Sequence, residues 1–257
     1  HVPLTAGENE DLATATYITD PIKSWVLYAE LHEGGEAQYY RFDMAEGQRL
    51  RLMLLTPAES EFTPSLVVMR PHIKSEGALE HEEHWHEDIP AFVQVPEDAD
   101  AKVVEGHRDK AAYEPFTPSS YYYLVDVDMD VPVTGTYYVA VYEPSMGGRY
   151  GLAIGYLEAY GLDEWIRVPI DVVGVHQWEG QSLAFIFAPL LATLVTGLGL
   201  LVWRRNKGVK EPKTWFGRIC SFASLLYLGS GFIVFTQMFI ALSRAALVPE
   251  VAVTIIF

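Results

Sequence analysis

Cysteine is almost absent from this chain of 257 residues, since the only one is Cys220. No disulfide can therefore form within one copy of the chain, and residues 1–181 have no thiol at all. Exported domains often depend on disulfides, so this one has to be stabilised by packing or by a bound ion. We interpret Cys220 as a small apolar residue of a helix, with palmitoylation as the alternative.

Motifs of common nucleophilic and nucleotide-dependent enzymes are also missing. The sequence contains no Gly-x-Ser-x-Gly elbow, no P-loop and no Gly-x-Gly-x-x-Gly fingerprint. These absences favour a protein that is not an enzyme.

Basic residues are scarce in the first part of the chain. Residues 1–181 contain 11 lysines and arginines against 32 aspartates and glutamates, a formal charge of −21. The remainder carries +5, which gives the total of −16. Such an acidic surface excludes nucleic acid as a partner. It favours cations, basic partners or simply a well-hydrated surface.

Two long apolar runs near the C-terminus predict membrane helices. Residues 182–203 carry no charge over 22 positions and are followed by Arg204 and Arg205. A helix of that length spans about 33 Å, enough for a bilayer core of roughly 30 Å. A second run covers residues 219–243, and the basic loop 204–218 between the two runs predicts the cytoplasmic side.

This topology predicts a multi-pass plasma-membrane protein with residues 1–181 outside the cytoplasm. The predicted partners are membrane lipid and either other subunits of a membrane complex or a second copy. Because the chain begins with His1 and an exported domain needs a targeting signal, we expect that a signal peptide has been removed. We interpret residues 244–257 as an outer loop and the start of a third helix; a tail packed on its neighbours is the alternative.

Short alternating segments separated by turn residues dominate residues 1–160. Arg49 and Arg51 alternate with leucines, the period-two pattern of a half-buried strand. Similar patterns predict strands in segments 24–31, 37–44, 48–55, 65–69, 91–95, 101–104, 121–127, 136–142 and 149–157. Segment 70–90 is predicted to be an insertion loop. We therefore expect an all-β extracytoplasmic sandwich, jelly-roll-like, followed by a transmembrane α-helical hairpin.

Residues 161–181 connect the predicted sandwich to the first membrane helix. Trp165 and Trp178 flank an apolar stretch that is interrupted by Pro169 and Gly174. We interpret this segment as an interfacial collar whose tryptophans lie among the lipid headgroups. A last β-strand is the alternative.

Three histidines among five carboxylates form the most distinctive local cluster. His81, His84 and His86 lie within six residues, and in an extended chain His84 and His86 point to the same side. With the imidazole and the amine of His1 they predict a site for copper or zinc. A hydrated acidic loop that binds no metal is the alternative. The N-terminal histidine and the later His-x-His resemble the B subunit of the membrane copper monooxygenases, which also places two membrane helices after its first β-domain.

Alternating carboxylates end one of the predicted strands. Asp126, Asp128 and Asp130 emerge on one face of it. Calcium prefers several oxygen ligands, so these residues are candidates for a calcium site. The segment lacks the glycine and the terminal glutamate of an EF-hand loop, and carboxylates that simply face water are the alternative.

Two aromatic strand motifs carry a family resemblance. Residues 35–42 read Gly-Glu-Ala-Gln-Tyr-Tyr-Arg-Phe, and residues 135–141 read Gly-Thr-Tyr-Tyr-Val-Ala-Val. Both are similar to β-sandwich domains of the prepeptidase C-terminal and Golgi-dynamics types, of which membrane-anchored versions occur in methanogenic archaea. The resemblance spans about residues 24–157 and implies a binding or assembly module with no catalytic residues to assign.

We therefore expect a membrane-anchored extracytoplasmic binding or accessory subunit of a cell-envelope or membrane complex that is not an enzyme. Exposed aromatic residues, Tyr121, Tyr122 and Tyr123, and the faces of the helices would form its contact surfaces. The alternative function is an extracytoplasmic copper- or zinc-binding protein that uses His1 and the cluster from His81 to His86.

Overall fold

The computed structural model of the protein describes residues 2–4, 7–73, 85, 88–114, 117, 119–206, 214–219, 222 and 229. The chain forms two compact units. The first consists of residues 1–112 and 121–178, and the second consists of residues 113–120 and 179–257.

In the part of the chain that the structure describes, eleven strands are arranged in two sheets. In chain order they are β1 (Val2–Leu4), β2 (Thr16–Tyr17), β3 (Trp25–Leu31), β4 (Glu36–Met44), β5 (Arg49–Pro57), β6 (Ser65–Pro71), β7 (Ala99–Val104), β8 (Ala112–Glu114), β9 (Ser119–Asp130), β10 (Gly135–Glu143) and β11 (Gly148–Ile154). One sheet has the order β1-β3-β11-β5-β9-β8 and the other β2-β4-β10-β6-β7. The predicted β-sandwich is confirmed.

The pairing of the strands is nested. Strand β3 pairs with β11, β4 with β10, β5 with β9 and β6 with β7, each antiparallel. Nested pairing split over two sheets has the form of a jelly roll. The edge strands β1 and β2 pair in parallel with β3 and β4.

The main core lies between the two sheets and follows from the alternation in the sequence. In β5, Leu50, Leu52 and Leu54 are fully buried, whereas Arg49 is exposed. From the opposite sheet, Phe42 stacks on Tyr137 with ring centroids 6.4 Å apart. Burying each leucine side chain contributes roughly 1.5–3 kcal/mol, so packing of this kind stabilises the unit without a disulfide.

A second apolar cluster covers the outer face of the sheet that contains β4. Tyr39, Val67 and Met69 are buried there against Val93. The sequence predicted a strand over residues 91–95, but this prediction is wrong: the segment turns, with the Val93 amide donating to the Pro90 carbonyl at 2.9 Å. Its apolar residues cover the sheet instead of pairing with it, which explains why they resemble strand residues in the sequence.

A β-bulge in β9 shifts the alternation of inward-facing and outward-facing residues by one position. Leu54 lies opposite Val125 and Leu55 opposite Tyr123, so Leu124 has no opposing residue in β5. The prediction that Tyr121, Tyr122 and Tyr123 are exposed is wrong for Tyr121, which is only 1 % exposed, whereas Tyr122 and Tyr123 are half-buried.

Helix α1 (Leu162–Trp178) packs on the sheet that contains β3. Glu164 accepts hydrogen bonds from the Gly161 amide, at 2.7 Å, and from Lys23. Its negative charge also interacts favourably with the positive end of the helix dipole. At the other end, the Trp178 indole donates to the Ala29 carbonyl at 2.9 Å. The helix is therefore attached to the sandwich at both ends.

The helical conformation bears on the choice between the collar and the β-strand that the sequence allowed for residues 161–181, and it also changes the role of Trp178. The alternative of a last β-strand is wrong, and the helix continues through Pro169 and Gly174. Trp178 was expected among lipid headgroups, but its ring lies 4.7 Å from Tyr28 and 6.3 Å from Tyr121. Its indole fixes the helix to the protein, and Tyr121 is buried beneath it.

The second unit contains helix α2 (Leu183–Asn206), where the sequence predicted an apolar helix. Its start is fixed by Ser182, whose hydroxyl accepts from the Phe185 amide at 3.2 Å. Among the residues that the structure describes, no helix combines the length and the apolar character that a membrane span requires. Most of the predicted run 219–243, residues 207–213 of the loop 204–218 and all of segment 244–257 lie outside the described residues.

Candidate functional site

The three aspartates that the sequence proposed for calcium face two arginines across the β5–β9 pair. Arg49 binds Asp128 through two hydrogen bonds, of 2.7 Å and 2.5 Å. Arg51 contacts Asp126 at 2.6 Å and Asp128 at 3.2 Å. Hydrogen bonding to Arg49 lowers the pKa of the Asp128 carboxyl and raises the pKa of the guanidinium. Asp126 and Asp128 are thus engaged by arginines.

These ion pairs compete with the predicted calcium site. Asp126, Asp128 and Asp130 are exposed and lie on one face of β9, as the alternation implied. However, a cation would have to displace Arg49 and Arg51 from the oxygens that it needs. Among the described residues, no three His, Cys, Asp or Glu side chains are grouped so that they could hold a metal ion. Calcium binding remains a prediction from the sequence.

Neutralising the two arginines tests this competition. With Arg49→Gln and Arg51→Gln combined, we expect calcium to raise the melting temperature more than it does for the native chain, because the aspartates lose their internal counter-charges. Calorimetric melting in 0–5 mM CaCl₂ measures the difference. The highest concentration exceeds the dissociation constants of typical calcium sensors by about three orders of magnitude. An identical, negligible calcium effect in both proteins would remove Asp126, Asp128 and Asp130 as a calcium site.

The predicted copper or zinc ligands His1, His81, His84 and His86 all lie outside the described residues. Trp85, within the same loop, is described: its ring lies over the guanidinium of Arg70 on β6, with Cζ 3.9 Å from the centroid. Arg70 is buried beside Asp100, at 3.4 Å, and His72 contacts the same carboxylate at 2.5 Å. The loop therefore contacts the sandwich at Trp85, next to a cleft of about 420 Å³.

A larger groove runs between α1 and the sheet that contains β3, within the first unit. Its volume is about 520 Å³, within the range of roughly 300–1,000 Å³ that is usual for small-molecule sites. We call it the α1 groove. The residues that line it are Pro3, Leu4, Gly7, Asn9, Tyr28, Ala29, Glu30, Gln38, Arg167, Ile170, Asp171, Gly174, Val175 and Trp178.

The aromatic part of the α1 groove is formed by Tyr28 and Trp178. Their rings are tilted by 53° at a centroid distance of 4.7 Å. The hydrogen bond from the indole to Ala29 fixes the orientation of Trp178. A rigid aromatic surface of this kind offers a large contact area at a small entropic cost.

Two buried amides line the groove and are held by the protein. The Asn9 side chain donates to the Tyr39 carbonyl at 3.3 Å. The Gln38 amide nitrogen donates to the Glu30 carbonyl at 2.9 Å, and its oxygen accepts from the Tyr150 hydroxyl at 2.6 Å. Both amides therefore have fixed orientations before any ligand arrives.

A chain of hydrogen bonds leads from Gln38 into the core. Tyr150 and Tyr40 share a hydrogen bond of 2.7 Å between their hydroxyls, and both side chains are completely buried. Burial raises the pKa of Tyr40 to about 12, and it raises the pKa of Tyr150 well above its ordinary value. Both tyrosines are neutral at physiological pH and act as hydrogen-bonding supports for Gln38.

Comparison with known proteins adds little. No protein-family model and no curated protein matches the chain. Among solved structures, the chain is similar to the pre-peptidase C-terminal domain of collagenase from Bacillus anthracis, at 15 % identity and a TM-score of 0.29. The match covers 54 % of this chain and 91 % of that domain. The β-sandwich is assigned from its own strand pairing, and a TM-score this low carries no argument about function.

The sequence did not reveal the α1 groove. Its residues come from the N-terminal segment, from β3 and β4, and from α1, so only the fold brings them together. One available signal was the pair Arg167 and Asp171, because residues four apart share a helix face. That signal depends on recognising α1 as a helix, which Pro169 and Gly174 obscured.

Proposed function

We propose that this protein is a membrane-anchored, extracytoplasmic binding or accessory subunit without enzymatic activity, with its sandwich seated on the lipid surface by α1. The observation that carries the proposal is an apolar stripe on α1. Leu162, Ile166 and Ile170 are 85 %, 77 % and 72 % exposed, and they follow one another at intervals of four residues, which places them along one side of a helix.

Such a stripe is unusual on a surface that meets only water. The opposite side of α1 packs on the sandwich through Val175 and Trp178. Placing the stripe at the boundary between headgroups and acyl chains would remove it from water. Each Å² of apolar area buried in this way contributes roughly 25 cal/mol of favourable free energy. The collar that the sequence predicted would then bind lipid through these aliphatic residues rather than through Trp178.

The apolar helix that follows supports a membrane anchor. The described residues alone provide no membrane span, but the complete sequence of α2 has no charge before Arg204. Its 24 residues correspond to about 36 Å of helix. Arg204, Arg205 and the basic loop that follows favour the cytoplasmic side for its C-terminal end. Residues 1–181 would accordingly face outward, and the run 219–243 would complete the hairpin.

Accessibility of labels along α1 tests the lipid seat. In a Cys220→Ser background, single cysteines at positions 162, 166 and 170 would carry a nitroxide in the full chain reconstituted into phosphatidylcholine vesicles. We expect high collision rates with oxygen and low rates with a water-soluble nickel chelate at these positions, because lipid dissolves oxygen and excludes the chelate.

Positions 167 and 171, about 100° and 140° around the helix from position 166 in the middle of the stripe, are the matched controls. We expect the reverse preference there, so that accessibility oscillates with a period of about 3.6 residues. Equal exposure of all five labels to the nickel chelate would show that α1 stands in water and would refute the lipid seat.

A further inference from the structure

We infer that the α1 groove binds an uncharged saccharide. This site goes beyond the proposed membrane role: all its residues belong to the first unit, and only Ile170 is also part of the apolar stripe. Three properties of the groove support this assignment: its charges, its hydrogen-bonding groups and its aromatic surface.

The charges of the groove favour a neutral ligand. Arg167 and Asp171 lie one helical turn apart on α1, and Glu30 lines the same groove from the sheet. Arg149 contacts Glu30 at 3.3 Å, so the two carboxylates are balanced by two guanidiniums, and the groove offers no net attraction to a charged ligand of either sign. The acidic charge of residues 1–181, −21, further disfavours anions.

The polar groups of the groove match hydroxyl chemistry. A sugar hydroxyl both donates and accepts, so it can donate to a carboxylate and accept from a guanidinium in the same site. Asp171 and Glu30 offer acceptors, and Arg167 offers several donors in a plane. Hydrogen bonds that involve a charged partner are about twice as strong as neutral ones, which compensates for the hydration that hydroxyls lose on binding.

The aromatic surface provides the apolar half of saccharide recognition. One face of a pyranose ring carries mainly C–H groups, and these pack well on an aromatic ring. Tyr28 and Trp178 line the groove in a fixed arrangement. Among the residues that the structure describes, no His, Cys, Ser or Thr side chain lines the groove, and we infer binding rather than chemical conversion.

Gly174 allows the groove to be blocked with little disturbance. A Cβ placed at this helical position meets no atom within 4 Å, and most side chains favour a helix more than glycine does. Gly174→Phe should therefore fill the groove while α1 remains folded. Gly174→Ala is the matched control, because it changes the backbone preference in the same direction but occupies almost no volume.

Calorimetric titration of the full chain in phosphatidylcholine nanodiscs, free of sugar-based detergent, tests the inference. The probes are maltotriose, cellotriose and chitotriose, and nanodiscs that contain a monoglucosyl diglyceride test a glycolipid headgroup as the source. We expect saturable binding of at least one of these probes. Gly174→Phe should weaken binding by about tenfold or more, whereas Gly174→Ala should bind like the native chain.

Asp171→Asn provides an independent variant that preserves shape. Replacing the charged acceptor with an amide should weaken binding about tenfold, and Asp163→Asn, on the same helix but outside the groove, should have no effect. Failure of all three trisaccharides and of the glycolipid to bind would overturn the inference. So would equal affinities in Gly174→Phe and Gly174→Ala, or tetramethylammonium binding that Gly174→Phe abolishes, since the latter would make the groove a cation site.

Discussion

Replacing Gly155 with alanine is expected to destabilise the sandwich by about 3–5 kcal/mol. Gly155 follows β11 with φ = +82°, a conformation that is strained for a residue with a Cβ. A Cβ at this position would also lie 2.2 Å from the Lys23 carbonyl oxygen and 2.7 Å from that of Ile22. Both obstacles are backbone atoms, so they cannot be relieved by a change of rotamer.

The clash would break hydrogen bonds on both sides of Gly155. Its amide donates to the Arg51 carbonyl at 2.9 Å, and the next two amides both donate to the Ile22 carbonyl, at 3.0 Å and 2.9 Å. The end of β11 would therefore move away from β5 and from the segment before β3. Urea unfolding of the full chain, followed by near-ultraviolet circular dichroism, measures the loss.

Two other glycines separate the causes. Gly35 has nearly the same φ, +83°, but a Cβ there meets nothing within 4 Å, so Gly35→Ala should cost only the conformational part, about 1–2 kcal/mol. Gly174→Ala should stabilise α1 slightly, by up to about 1 kcal/mol. If Gly155→Ala and Gly35→Ala lost the same free energy of unfolding, the contact with the Lys23 carbonyl would add nothing to the conformational cost.

Alkaline pH is expected to unfold the protein through its buried tyrosines. Burial raises the pKa of Tyr40 to about 12, from about 10 in the unfolded chain. Because the folded pKa is the higher one, this tyrosine leaves stability unchanged below pH 10 and reduces it as the pH rises from 10 towards 12. Two pKa units correspond to about 3 kcal/mol, and burial of Tyr150 adds a loss of the same sign.

Tyr150→Phe tests this explanation in two pH ranges. At neutral pH it should cost about 1–3 kcal/mol, because the buried Gln38 oxygen loses its donor. Between pH 10 and 12 its free energy of unfolding should fall less steeply than that of the native chain, because one buried phenol is absent. Urea unfolding at half-unit pH steps, with absorbance at 295 nm to follow tyrosinate, measures both effects.

Tyr17→Phe is the control for alkaline unfolding, because it removes a phenol that is 45 % exposed. Its pH dependence should stay closer to that of the native chain than the dependence of Tyr150→Phe. If the two variants had the same slope above pH 10, the buried pair would not be the source of alkaline unfolding.

The sequence predicted the parts of the fold that depend on local alternation. Arg49 and Arg51 point outward from β5 between buried leucines, as their spacing indicated. Strands β1, β2 and β8 were missed because two or three residues are too few to show a period. The bulge at Leu124 was missed because one additional residue is determined by the partner strand, and the sequence does not show it.

The candidate site was harder to predict, because its residues are distant in sequence. Asn9, Gln38 and Asp171 meet at one groove only after α1 has folded back on the sheet. The role of Trp178 was misread for a related reason. A tryptophan just before an apolar run is typical of a membrane interface, but the sequence could not show that Tyr28 and Tyr121 lie within reach of its indole.

The nested strand pairing also determines the order in which the sandwich can form during synthesis. The innermost pair, β6 and β7, is complete after Val104, whereas β3 has to wait for β11, which pairs Leu31 with Gly148. Contacts between residues so far apart make folding slow. Strand β3 can pair early with the short β1, but its long antiparallel partner β11 is missing until more than a hundred further residues have been made. With no disulfide to hold an intermediate, this edge of β3 is open to mispairing until Ile154 has emerged.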